Sequence, residues 1–307
     1  MTQQATTPAS TWFNEPPTNG IKLCFEVKDT LFEDASDFQK VTLLDTVPYG
    51  RMLLLDDLVM TTEKDEFVYH DMITHIPMLA HPAPKNVLVI GGGDGGTVRE
   101  VLKYPTVERV VLCEIDGMVV DVCRKYLPTI AGELGNPKVD IQIRDGIAYM
   151  AEAAQQKNVF DVILIDSTDP IGPGEGLFTE EFYTHVKQAL TENGMMVAQT
   201  ESPVAHQRGF LKIQSLLNKV FPVVTPYFAT IQTYPGFMWS WTYCSKEQGP
   251  LASINDEQAA QIEQTTQFYN RQIHRSVFAA PNFVRQLLTL NPDDFPQPGQ
   301  ESLSCQT

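Results

Sequence analysis

Three acidic residues, Glu114, Asp145 and Asp166, each stand at the end of a short apolar run (RVVLCE, VDIQIRD, DVILID), and a glycine-rich segment, Gly91 to Gly96, follows a fourth such run, NVLVI. Glycines there, Gly91 and Gly93 among them, let the backbone approach a ligand at the N-terminus of the helical stretch that follows, TVREVLKY. The segment satisfies both GxGxxG and GxGxG, so alone it separates neither dinucleotide from nucleoside binding nor binding from a tight strand-to-helix turn. Glu114, just over twenty residues past the glycines, is placed to hydrogen-bond a ribose diol, and Asp145, next to Gly146, to accept from an adenine amino group. Either acid alone would serve equally as a helix cap. Together they point to an adenosine-bearing ligand.

Asp94, inside the glycine segment, adds a charge. Close to the ligand, it would repel the carboxylate of S-adenosylmethionine and attract the bare aminopropyl ammonium of the decarboxylated form; otherwise it only complements the dipole of the following helix. Asp166 and Asp169, three residues apart in DSTDP, suit an alkylammonium, and the IGPGEGLFT stretch behind them reads as a mobile lid. The formal charge of −16 over 307 residues argues against nucleic acid and fits positively charged small molecules, although excess acid also serves solubility. Five scattered cysteines, with no CxxC spacing and no histidine pair at metal-ligand distance, indicate a reducing compartment and no metal site. The N-terminus lacks a basic and an apolar signal region, and no apolar run approaches a membrane span, so a cytoplasmic protein is expected.

The elements that must position these residues fall into three parts. Residues 1–20 read as a flexible lead-in, with Trp12 and Phe13 as anchors and no chemistry assigned. Residues 21–84 read as a small N-terminal antiparallel β-domain, from runs such as KVTLLDTV and RMLLLDD, plus a connecting helix that carries Tyr69 and His70 behind N-caps at Thr61 and Thr62. Residues 85–307 alternate buried apolar strands with helices. They predict a Rossmann-like, doubly wound, mostly parallel sheet with an antiparallel edge and C-terminal helices from about residue 250.

The motifs VTLLDTVPYGRMLLLDD, the Tyr69-His70 helix, VLVIGGGDGGTVRE, CEID, RDG, DVILIDSTDP and TYP, in this order, resemble the spermidine synthase family of aminopropyltransferases over nearly the whole chain. The resemblance implies aminopropyl transfer from decarboxylated S-adenosylmethionine, a co-substrate, to putrescine, giving spermidine and methylthioadenosine, with no metal or redox cofactor. It implies donor contacts at Gln39, Glu114, Asp145, Gly146 and Pro173, and contacts to the polyamine or the aminopropyl arm at His70, Asp94 and Asp169. Asp166 resembles the proton acceptor, and Tyr69 and Tyr234 the tyrosines that orient the amine and the acid. His70 matches the bacterial form of its motif. Assembly as a homodimer or homotetramer is implied by the resemblance alone. The alternatives are an S-adenosylmethionine-dependent N-methyltransferase acting on a polyamine, and a polyamine-binding protein without turnover.

Overall fold

Apolar side chains in residues 11–62 build a sheet whose central strands are buried on both faces. The computed structural model describes residues 11–169 and 172–295. Strands β1 (Thr11–Asn14), β2 (Cys24–Ala35), β3 (Lys40–Thr46), β4 (Gly50–Leu55) and β5 (Leu58–Thr62) form an antiparallel meander in sequence order. Leu44, Met52, Leu54 and Val59 pack with Phe25 on one face, while Val41, Leu43, Leu53 and Leu55 join the main core on the other. The β4–β5 hairpin turns at Asp56 and Asp57, both at positive φ, as a two-residue turn between twisted strands requires. The chain enters this sheet earlier than expected. Residues 11–14 of the assigned lead-in pair with β2, and Phe13 packs on the core while Trp12 stays 53% exposed.

Helix α1 (Glu66–Ala80) carries the chain into the second unit and is buried on nearly every side. Its start differs from the predicted one. Thr61 and Thr62 belong to β5, paired with Leu53 and Met52, so the ladder takes their backbone groups and the N-cap position falls to Asp65. Asp65 is a latch rather than a cap. Its carboxylate accepts from the Thr62 hydroxyl (2.6 Å) and from the Thr233 hydroxyl and N–H (2.8 and 3.2 Å), joining the N-terminal sheet to the loop before the last strand.

The remaining elements run β6 (Asn86–Gly91), α2 (Gly96–Val101), β7 (Arg109–Glu114), α3 (Gly117–Tyr126), α4 (Pro128–Ala131), β8 (Val139–Ile143), α5 (Gly146–Gln156), β9 (Phe160–Asp166), α6 (Glu180–Ala189), β10 (Leu190–Gln199), α7 (Gln207–Val220), β11 (Val223–Thr230) and β12 (Met238–Ser245). The sheet order is β11-β12-β10-β9-β6-β7-β8, parallel from β8 to β10 with an antiparallel pair at the other edge. Residues alternate between two cores. Val87, Val89, Val110 and Leu112 meet α1, α2 and α3, whereas Leu88, Ile90, Val111 and Cys113 meet α5 and α6. Strand order therefore reverses between β6 and β9, and ligands of doubly wound sheets lie outside the carboxyl ends of the strands at that switch. Helices α8 (Asp256–Ile262), α9 (Arg271–Ser276) and α10 (Asn282–Leu287) pack outside the sheet. Among the described residues no helix is long and apolar enough to cross a membrane.

Removing the Asp65 latch leaves the buried Thr62 and Thr233 hydroxyls without their acceptor. Asp65→Ala should cost about 1–3 kcal/mol and lower the calorimetric unfolding midpoint by several degrees; an unchanged midpoint would mean that the latch contributes nothing to stability.

Candidate active site

The site grows from the pairing of Gly91 with Asp166, the last residues of β6 and β9 on either side of the switch. Past them, Gly92 lies at φ +66°, and a Cβ there would come within 2.6 Å of an Asp166 carboxylate oxygen. The glycines are needed because the loop runs between side chains that already fill the space. One cleft is lined by Gln39, Tyr69, His70, Gly91, Gly93, Asp94, Glu114, Asp145, Gly146, Asp166 and Tyr234, so the structure brings eleven of the sequence-predicted residues together.

At one end of the cleft, Glu114 ends β7 and accepts from the Asp116 N–H at 2.9 Å. Burial raises its pKa to about 7, with the nearby Asp116 charge adding and backbone N–H groups opposing. Gln39 reaches the cleft because Asp116, buried at the start of α3, accepts from its amide (3.0 Å) and from the Ser36 hydroxyl (2.7 Å). That pins the β2–β3 turn over the second unit. Asp145 caps α5, accepting from the Ile147 N–H at 2.8 Å, and also lines the cleft. Of Pro173 only the backbone is described, within the 3-10 turn Gly172–Leu177; Pro170 and Ile171 lie outside the described residues.

At the centre, Asp166 accepts from the Thr97 hydroxyl at 2.6 Å and from the Tyr69 hydroxyl. Its pKa is raised by burial and by the Asp94 charge, against the pull of His70 and of these two hydroxyls. Asp94 behaves oppositely. Burial pushes it up too, but His70, with Nε2 3.4 Å from Oδ1, outweighs that and holds it below the usual range, helped by the Gly96 N–H at 2.8 Å. Burial likewise works against the charged form of His70, yet Asp94 and Glu66 raise its pKa well above the ordinary histidine value. Tyr69 stands edge-on to His70 and Tyr234. The Tyr234 hydroxyl donates to the Met60 carbonyl at 2.6 Å, so this tyrosine walls the cleft and does not grip Asp166.

Asp169 is not among the cleft-lining residues but belongs to an acidic group that the sequence reading missed. Burial raises Asp169 to about 6. Glu201, 4% exposed, is raised well above the carboxylate range by burial and then by the Asp169 charge. Glu15, to which no chemistry was assigned, is raised to about 7 by burial, with the Asp169 charge adding to it and the Val59 N–H it accepts from at 2.9 Å opposing. Gln199, ending β10, donates to the carbonyls of Ser167 and Thr168 and so holds the loop carrying Asp169.

A further cluster, Asp71, His75 and Glu100, has the ligand types of a metal site. Its carboxylates are committed elsewhere: Glu100 pairs with Lys103 at 2.5 Å and Arg99 at 2.8 Å, and Asp71 accepts from the N–H groups of Phe268 and Tyr269. Side-chain cations already neutralise it, and we read it as a structural ion-pair network.

Residues 66–286 match the family described as the spermine/spermidine synthase domain, and residues 11–63 match the spermidine synthase tetramerisation domain. The chain belongs to the spermine/spermidine synthase family. Among its relatives, the polyamine aminopropyltransferase of Alkaliphilus metalliredigens is 48% identical over 277 residues, covering 90% of this chain and 96% of that one. The Bacillus subtilis protein of the same name is 42% identical over 277 residues, covering 90% and 98%. Among solved structures, a spermidine synthase in complex with the transition-state analogue AdoDATO aligns with a TM-score of 0.88 at 40% identity, covering 95% of this chain and 99% of that one. The spermidine synthase of Thermotoga maritima gives 0.87 at 39%, covering 95% and 98%. Membership in this family accords with the resemblance carried by the sequence motifs and with the Rossmann-like sheet behind an antiparallel one.

A carboxyl whose folded pKa is raised favours folding in its protonated form, so its contribution is lost as pH rises from the unfolded value through the folded one. For Asp169 that window runs from 3.8 to about 6. Without ligand, Asp169→Asn should therefore match the parent protein near pH 4 and melt roughly 3–6 °C higher above pH 6. A variant that melts at or below the parent temperature at pH 8 would contradict this.

Proposed function

We propose that this protein transfers the aminopropyl group of decarboxylated S-adenosylmethionine to putrescine, giving spermidine and methylthioadenosine. Aminopropyl transfer is supported by the family and by the names of its relatives. The observation that carries the choice of donor is Asp94, held as an anion by His70 beside the Gly91–Gly93 loop. An anion at that place attracts an aminopropyl ammonium and repels the carboxylate of the intact donor, which disfavours the N-methyltransferase alternative. Glu114 would take the ribose hydroxyls, with Asp145, Gly146 and the Pro173 turn around the base and Gln39 closing the donor from above.

The reaction is a displacement. The neutral amine nitrogen attacks the methylene carbon attached to sulfur, the carbon–sulfur bond breaks, its electron pair returns to sulfur as a neutral thioether, and the new ammonium gives up a proton. Because the sulfonium supplies its own leaving group, the enzyme's work is alignment and exclusion of water, and no metal or redox cofactor is called for. Asp166, raised by burial and fixed by Thr97 and Tyr69, would hold the attacking amine and accept its proton. Asp169, Glu201 and Glu15 would hold the distal ammonium, which favours a diamine over a monoamine. The match of residues 11–63 favours a homotetramer over a homodimer.

Two measurements test this reading. Incubation with decarboxylated or intact donor against putrescine, cadaverine, spermidine and agmatine, followed by mass spectrometry, should yield spermidine and methylthioadenosine from decarboxylated donor and putrescine; methylated amine with S-adenosylhomocysteine would instead establish the methyltransferase. Asp169→Asn should raise the putrescine KM about tenfold with a smaller change in kcat, and an unchanged KM would remove Asp169 from the acceptor site.

A further inference from the structure

We propose that Glu66, gripped by Arg99, is a positioning residue that fixes the His70 ring and thereby presents Asp94 to the donor as an anion. Glu66 lies one turn before His70 on α1, a spacing that brings the two side chains together on one face. Its Oε2 is 2.5 Å from His70 Nδ1. The Arg99 guanidinium from α2 holds both Glu66 oxygens, at 3.0 and 2.9 Å, and is itself tied to the Thr129 carbonyl at 3.0 Å and to Glu100 at 2.8 Å. A paired fork of this kind fixes direction as well as charge. The ring lies against the Gly96 backbone, where a Cβ would overlap three of its atoms, and Tyr69 stands edge-on to it.

Each ring nitrogen therefore faces a carboxylate, Glu66 at Nδ1 and Asp94 at Nε2. A neutral imidazole donates from one nitrogen only and would turn a lone pair on the other carboxylate, whereas the imidazolium donates to both. The groups facing His70 are Glu66 and Tyr69 from α1, Asp94 from the loop after β6, Asp166 from β9 and, through Glu66, Arg99 from α2. Carboxylates face both ring nitrogens, and the imidazolium, with a smaller contribution from Arg99, lets Asp94 stay ionised close to Asp166. His70 and the Gly96 N–H both engage Asp94 Oδ1, so neither contact uses Oδ2. With Glu66 uncharged, one imidazole proton would suffice, and the cation supporting Asp94 would be lost as pH rises.

This inference rests on the reading of Asp94 as the donor-selecting group, and its test has an arm that does not. Histidine NMR titrations, with His70 assigned from His70→Gln, should find the ring titrating well above the ordinary histidine range in the parent protein and falling back toward that range in Glu66→Gln. In turnover, Glu66→Gln should raise the donor KM about tenfold near pH 8.5 and about twofold near pH 6, with the acceptor KM within about twofold throughout. Should Glu66→Gln fail to fold, Arg99→Lys, which keeps the charge but not the fork, should move both readouts the same way by a smaller factor. A His70 that stays imidazolium in the variant, or donor and acceptor KM values that rise together at every pH, would overturn the proposal. If the parent protein transfers no aminopropyl group, the function reading fails, and the titration alone still decides whether Glu66 sets the charge of His70.

Discussion

Too many carboxylates at one point in the fold is the constraint on which the site depends. The switch between β6 and β9 gathers Asp94 and Asp166, and the strand ends and loops around it add Glu114, Asp169, Glu201 and Glu15. Burial works against the charge on each of them, and in all but Asp94 it prevails. The exception has His70 beside it. An unliganded site of this kind is a standing demand for positive charge, which the proposed sulfonium donor and polyamine acceptor would supply. Destabilisation stored where ligands bind is a familiar trade of stability for function.

Much of the remaining architecture brings distant segments to bear on that point. The N-terminal sheet presents one apolar face to α1 and is pinned twice, by Asp116 at the β2–β3 turn and by Asp65 at its other end. The first latch delivers Gln39 to the cleft beside Glu114; the second holds the loop of Thr233 and Tyr234 against the start of α1. Helix α1 delivers Tyr69 and His70, with Glu66 and Arg99 behind them. Gln199 steadies the backbone between Asp166 and Asp169. The ion-pair network of Asp71, His75 and Glu100 continues from Arg99 and reaches the backbone of residues 268–269, so the C-terminal segment is tied to the same helix pair.

Period and punctuation made the parallel sheet legible in the sequence, because buried strands are apolar runs and the glycine segment marks the first strand end. Acids at strand ends were legible for the same reason. Glu201 follows the β10 run GMMVAQT as Asp166 closes β9, and the same rule applied once more would have found it. Glu15 was not legible, since it acts by folding back onto β5, a contact 44 residues away with no local pattern. Glu66 lies in the first turn of α1, where an acid is ordinary, and its partner Arg99 is 33 residues on. Thr61 and Thr62 misled because cap-forming residues also end strands, and tertiary pairing decided between the two.

Asp94 is proposed to select the donor by its charge. The direct test compares kcat/KM for decarboxylated and intact S-adenosylmethionine in the parent protein and in Asp94→Asn, scoring either alkyl transfer. The parent should favour the decarboxylated donor, and Asp94→Asn should lose about 100-fold or more of that preference, chiefly through a fall in kcat/KM for the decarboxylated donor. An Asp94→Asn protein that turns over the decarboxylated donor with the parent's preference intact would contradict the account.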